Sequence, residues 1–128
     1  MVWTKELFGV EKPIIALLHL RALPGDPLYA GDMEAVCRQA REDLIALQDG
    51  GVDGVLIANE FSLPYQPKAD PVTVGAMGYL VGRLKQEIRV PFGVNVVLNP
   101  VASLELAGEI LDLSAAGNYL AVLTTKGL

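Results

Sequence analysis

The sequence predicts an α/β fold: about four βα units of parallel sheet with their helices outside. Three observations carry that expectation. Short apolar runs alternate with longer segments whose apolar residues recur at helical spacing. The runs are continuous rather than alternating in polarity, which implies burial on both faces, as in a parallel sheet covered by helices. Residues that start and stop helices fall between the two kinds of segment.

Residues 13–20 (PIIALLHL) make the first strand, and 21–31 a turn-rich loop with Pro24, Gly25, Pro27 and Gly31. Asp32 is then the N-cap of a helix. Its stripe is Met33, Val36, Cys37, Ala40, Leu44 and Leu47, and Gly50-Gly51 ends it. Residues 52–59 (VDGVLIAN) make the second strand and 60–69 a loop. Asp70 caps the next helix with Pro71 in its first turn, where a missing N–H costs little. Val74, Met77, Val81, Leu84 and Ile88 form its stripe. Residues 91–98 (PFGVNVVL) make the third strand. Asn99-Pro100 repeats the cap-plus-proline signal, for a helix running to about Ala116 and stopped by Gly117. Residues 119–124 (YLAVLT) make a fourth strand. Two architectures fit this pattern: an open doubly wound sheet, or part of a (β/α)8 barrel. No G-x-G-x-x-G follows the first strand and no G-x-x-x-x-G-K-[ST] occurs, so the dinucleotide and P-loop readings lose their support.

The chain has 128 residues, one domain at most, and 52% of them are apolar. Mean hydropathy is +0.38, enough for a core of ordinary size. A formal charge of −5 without a basic run argues against a nucleic-acid backbone or an anionic lipid surface as partner. The single cysteine, Cys37, cannot close an internal disulfide, which fits a reducing, cytoplasmic compartment. The first residues show no charged leader with an apolar stretch behind it. No apolar run approaches the roughly 18 residues of a spanning helix.

Ligands of parallel α/β folds meet the carboxyl ends of the strands. His19 lies at the end of the first strand, Asn59 and Glu60 at the end of the second, and Asn95 and Asn99 in and after the third. His19, the one histidine, suits general acid/base work or metal ligation, against a plain hydrogen bond to loop backbone. Glu60 suits a general base or a divalent-metal ligand, against a solvated carboxylate. Asn95 sits in an apolar strand and needs partners there. Asn99 reads as a cap first and a ligand group second. Gly25 belongs to Leu23-Pro24-Gly25-Asp26-Pro27, a shaped ligand loop or a plain turn. Cys37 faces an apolar stripe and reads as an inert thiol. Asp53 falls on the opposite, stability-related rim. Neither a metal nor a cofactor follows from the residues.

Leu18-His19-Leu20 through Leu23-Pro24-Gly25-Asp26-Pro27 resembles the H-L-x-x-L-P-G-x-P signature of the BtpA/SgcQ family. Gly50-Gly51-Val52-Asp53-Gly54 is similar to its second αβ junction, and Pro91–Val96 (PFGVNV) to its third strand. Asn59–Tyr65 (NEFSLPY) with Asp70–Val74 (DPVTV) resembles the SgcQ-type branch. The resemblance spans residues 13–107 in order. It implies a TIM-like barrel about twice this length, of which residues 1–128 are the N-terminal half and 108–128 a divergent tail. The family carries two labels: a photosystem I biogenesis protein, and a protein encoded beside sugar phosphotransferase genes. No reaction is tied to either label, and fold alone does not supply one.

Three functions are therefore expected in competition. One is a barrel enzyme or binder for a small phosphorylated, sugar-like metabolite, with His19 and Glu60 catalytic and Asn59, Asn95, Asn99 and Gly25 binding. The others are a non-catalytic assembly factor and a truncated product without activity of its own. The first requires His19, Glu60 and Asn95 to converge in one cleft. Four parallel strands cannot close a barrel. The inward side chains, taken as Ile14, Ala16, Leu18, Val55, Ile57, Val94 or Val96, would then lose their partners. A homo-oligomer or a second half-barrel would have to cover them.

Overall fold

The computed structural model describes residues 2–97, 99, 112–116 and 119–124, the last two segments by their backbone. A short helix that the sequence pattern does not signal, α1 (Val2–Phe8), precedes β1 (Ile15–His19). Helix α2 (Met33–Asp49) leads to β2 (Gly54–Ala58). Helix α3 (Pro71–Leu84), extended by a 3-10 turn at Lys85–Glu87, leads to β3 (Phe92–Asn95). Strands β4 (Asp112–Ala116) and β5 (Tyr119–Thr124) follow.

The predicted caps act as caps. The Asp32 carboxylate accepts from the Ala35 N–H at 2.9 Å, and Asp70 from the Val72 N–H at 2.9 Å. After α2 the chain turns through Gly51 at φ +85°, a left-handed conformation only glycine adopts without penalty.

The sheet order is β1-β2-β3-β5-β4. β1, β2 and β3 run parallel, with Leu18 beside Ile57 and Ile57 beside Val94. Beyond β3 the sheet departs from the expected series. β5 pairs antiparallel to β3, and β4 antiparallel to β5 with Ala116 beside Tyr119. The fold is thus α/β with a three-stranded parallel sheet, not four parallel units. The expected helix from Asn99 to Ala116 is wrong over 112–116, which is strand β4. Its part over 100–111, and Leu98 at the end of the expected third strand, lie outside the described residues.

Side chains alternate between sheet faces. Leu18, Val55, Ile57, Phe92 and Val94 face the helices and form one core with Val36, Cys37, Ala40 and Leu44 of α2 and Met77, Leu80, Val81 and Leu84 of α3. This reverses the expected phase. Leu18, Val55, Ile57, Val94 and Val96 are buried, and Ala16 shares the face of Leu18. The bare side belongs to the other set, with Ile15 40% and Leu17 54% exposed. Ile14, before β1, is also exposed. A continuous apolar run carries no phase information, so sequence cannot say which alternate residues meet the helices.

Gln48 locks the two helices together at the amino end of β3. Its Nε2 donates to the Glu87 carbonyl at 3.0 Å and its Oε1 accepts from the Arg89 N–H at 2.6 Å. Exposed ion pairs Arg41–Glu87, Arg83–Glu34 and Arg89–Asp49 line the same seam. On the amino rim, Asp53 Oδ2 accepts from the Ile14 N–H at 2.8 Å, a purely structural contact.

Candidate functional site

Three loops meet at the carboxyl ends of the parallel strands: 20–32 after β1, 59–70 after β2 and the segment from Val96 after β3. Each is tied to the next by side chains rather than by sheet bonds. Asp26 Oδ2 accepts from the Leu23 N–H at 2.6 Å and from the Ser62 hydroxyl at 2.5 Å, joining the first loop to the second. Asn59 Oδ1 accepts from the Val97 N–H at 2.8 Å, joining the second to the third. Asn99 Oδ1 accepts from the Ala69 N–H at 2.6 Å, and its Nδ2 donates to the Val97 carbonyl at 2.9 Å. The Thr73 hydroxyl, in the first turn of α3, donates to the Pro24 carbonyl at 3.0 Å.

These contacts wall a polar cleft at the N-terminus of α3. Asp26, Asn59, Ser62, Tyr65, Asp70, Thr73 and Asn99 line it, around about 20 Å³ of free space. That is room for one water-sized group. Two carboxylates, three amides (Asn59, Gln66 and Asn99) and three hydroxyls offer acceptors and donors for a hydroxyl group. No lysine or arginine lines it among the described residues.

The predicted residues distribute unevenly around this cleft. Asn59, only 5% exposed, and Asn99 line it. Gly25 supports it from behind at φ +98°, where a Cβ would stand 2.7 Å from Val72 Cγ1 and 2.9 Å from Thr73 Oγ1. Glu60 is half-buried beside the cleft; the Tyr65 hydroxyl lies 2.7 Å from its Oε2 and 2.9 Å from its carbonyl. His19 and Asn95 stand elsewhere. Each is in register with Ala58, so the three share one row on the face turned away from the helices. The His19 ring meets Phe61 edge-on, with centroids 6.2 Å apart. It lines a second, open groove of about 420 Å³ with Leu17, Phe61 and Asp43, Ala46 and Leu47 of α2. No hydrogen bond joins His19, Glu60 and Asn95 among the described residues, and no described pocket holds all of them.

Asp26, Ser62, Tyr65 and Thr73 were not singled out by sequence reasoning. Asp26 and Ser62 sit inside turn motifs, and nothing in their spacing announces that the turns pack on each other. Cys37 is buried under the α2–α3 seam. Burial pushes its thiol pKa up, partly offset by the nearby Arg83 guanidinium and reinforced by Glu34. Among the described residues, no group of three or more His, Cys, Asp or Glu gathers as metal ligands. No described helix is long and apolar enough to cross a membrane.

The sequence profile of the BtpA family matches residues 10–112. The chain belongs to the BtpA family. It is 54% identical over 109 residues to the sgc region protein SgcQ of Escherichia coli K12, covering 84% of this chain and 41% of that protein. It is 35% identical over 99 residues to the photosystem I biogenesis protein BtpA of Synechocystis, covering 77% and 34%. This BtpA-family chain therefore spans about two fifths or less of the relatives it matches. No solved structure matches it. The H-L-x-x-L-P-G-D-P stretch is the β1–α2 loop that places Asp26 and Gly25, and the N-E-F-S stretch places Asn59 and Ser62. The residues that carry the family resemblance are thus those that build the cleft.

Proposed function

We propose that this chain forms the first part of a TIM-like barrel whose carboxyl-end rim binds a small, hydroxyl-rich, sugar-like metabolite. The observation that carries the reading is the cleft at the N-terminus of α3, whose walls are carboxylates, amides and hydroxyls. Both crossover helices pack on one face of the parallel strands, as in a barrel. The row of His19, Ala58 and Asn95 would then face the barrel interior, with Glu60 above it. His19 and Glu60 are the proton-transfer candidates, and Asn59, Asn95, Asn99 and Gly25 the binding residues. A phosphate on the same ligand would sit away from the cleft, because Asp26 and Asp70 repel it. The reading keeps the protein in the cytoplasm, where a lone thiol stays reduced.

A thermal-shift panel of free sugars, polyols and sugar phosphates tests this. A ligand at a hundred times its Kd adds about 2.7 kcal/mol of stability. That gain should shrink in Ser62→Ala. A flat panel, on this chain and on full-length SgcQ, would remove the reading.

One observation favours an assembly role instead. Ile14, Ile15, Leu17, Leu28, Phe61 and Leu63 are all exposed, and large exposed apolar patches mark interaction sites. The Synechocystis relative is named for photosystem I biogenesis. Retention of function by a full-length relative with Asn59 and His19 both replaced would support that role.

A further inference from the structure

The three strand-end loops leave one buried polar group in the cleft wall unspent. Asn59 is only 5% exposed, and its Oδ1 accepts from the Val97 N–H. A backbone N–H only donates, so the amide cannot turn over and its nitrogen is fixed on the other side. That nitrogen has no hydrogen-bond partner among the described residues. Every fully enclosed side-chain nitrogen or oxygen among them has one. The Asn59 nitrogen therefore borders open space, and the space that Asn59 lines is the cleft of about 20 Å³. The other buried polar side chains of the wall are Ser62 and Thr73, each 4% exposed. Their single protons are committed, to Asp26 Oδ2 and to the Pro24 carbonyl. Towards the cleft both offer lone pairs only. Asp26 Oδ2 takes Ser62 and the Leu23 N–H, and its Oδ1 takes no hydrogen bond among the described residues. Gln66 is exposed at the mouth. The buried side chains thus set one donor, Asn59, against acceptors.

We infer that Asn59 and Asp26 select a single alcohol group: a hydroxyl of the ligand accepts from Asn59 Nδ2 and donates to the Asp26 carboxylate. This rests on the rim being a site for a hydroxyl-rich metabolite, and names the group that enters it and the two residues that choose it. A hydroxyl carries one proton and two lone pairs, so it satisfies donor and acceptor at once. A carbonyl or ether oxygen brings no proton for the carboxylate. An ammonium brings no lone pair for Asn59, whose buried nitrogen would stay unsatisfied. A phosphate or carboxylate meets Asp26 and Asp70, with no lysine or arginine in the wall among the described residues to offset them. The space is that of one water. A ligand hydroxyl takes a water's place and repeats its bonds, while the carbon that bears it stays at the mouth. A sugar phosphate therefore enters by an unphosphorylated position.

Side-chain amide NMR of the chain carrying isotope-labelled asparagine, with melting followed in parallel, tests the pair. The probes are D-glucose, D-galactose, D-fructose, xylitol, D-glucitol and galactitol, with glucamine, the amino analogue of D-glucitol, as the charged control. At least one uncharged probe should shift the Asn59 side-chain amide signals saturably and raise Tm. Asp26→Asn should weaken that probe about tenfold or more, because it removes a charged acceptor. The amide oxygen it leaves still takes the Leu23 and Ser62 donors. Should that variant unfold, the Asn59 signals of the parent decide alone. A probe that raises Tm but leaves the Asn59 signals unmoved overturns the inference and leaves the wider reading of the rim standing. So does an Asp26→Asn protein that binds as the parent does. Glucamine binding at least about tenfold tighter than D-glucitol also overturns it, since the carboxylates would then be choosing charge. A panel that moves neither signals nor Tm removes both.

Discussion

Gly25→Ala is the sharpest test of how the candidate site is built. The backbone at Gly25 has φ +98°, a region that costs an L-residue about 1–2 kcal/mol. The new methyl would stand 2.7 Å from Val72 Cγ1 and 2.9 Å from Thr73 Oγ1, both below any normal contact. Relieving such overpacking costs about 1–3 kcal/mol. The two effects are separate, so the expected loss is about 2–5 kcal/mol, a large part of a net stability of about 5–15 kcal/mol. In a domain of this size each kcal/mol lowers Tm by about 3–5 °C. Urea and thermal melts followed by circular dichroism measure it. A second variant divides the two effects. Val72→Ala removes one of the clashing groups from an exposed position, and should recover about 1 kcal/mol of the Gly25→Ala loss in a double-mutant cycle. The conformational part should persist. A Gly25→Ala protein within about 0.5 kcal/mol of the parent, the range of an inert surface change, would refute the packing of the Leu23–Pro27 loop on α3.

Other substitutions probe the neighbouring contacts. Asn59→Ala strips the Val97 N–H of its acceptor in a buried site, and should cost about 1–3 kcal/mol by urea titration. Gln48→Leu keeps bulk but leaves the Arg89 N–H without its 2.6 Å acceptor, with a similar expected loss of about 1–3 kcal/mol and faster exchange of the Arg89 amide. Cys37 supplies a pH signature. Burial raises its folded pKa above the unfolded one, so its contribution is complete below the ordinary thiol pKa of about 8.5 and is lost as pH climbs toward the raised value. Stability should therefore fall more steeply above that pH in the parent than in Cys37→Ala, read from urea midpoints across alkaline buffers.

The parallel half of the fold was legible because its signals are local. Asp32 and Asp70 cap the helices they were expected to cap, Pro71 sits in the first turn, and β1, β2 and β3 fall inside the apolar runs. The segment before β5 misled for a physical reason. Asp112–Ala116 is short and mixed, and its strand state depends on pairing with β5 rather than on its own propensity. A signal was present: Gly117-Asn118 separates two strand-length segments by two residues, the spacing of a hairpin. Of the site, Asn59 and Asn99 were found through their strand-end positions. Asp26 and Thr73 were not, because they meet only after the first loop folds across α3. His19 was placed at the right strand end but on a face the sequence could not assign.

The Phe8 ring reaches within 2.8 Å of where a Cβ on Gly54 would stand. Gly54 is in register with Ile15, so the ring sits beneath the face that carries His19 and Asn95 at its far end. Helix α1 is in effect a stopper, and residue 54 is hollow so that the stopper can seat. A solute approaching the foot of that face from the amino end meets an aromatic ring, whereas Ile15 and Leu17 beyond it stay exposed. Any side chain on residue 54 would press on the Phe8 ring and unseat the plug.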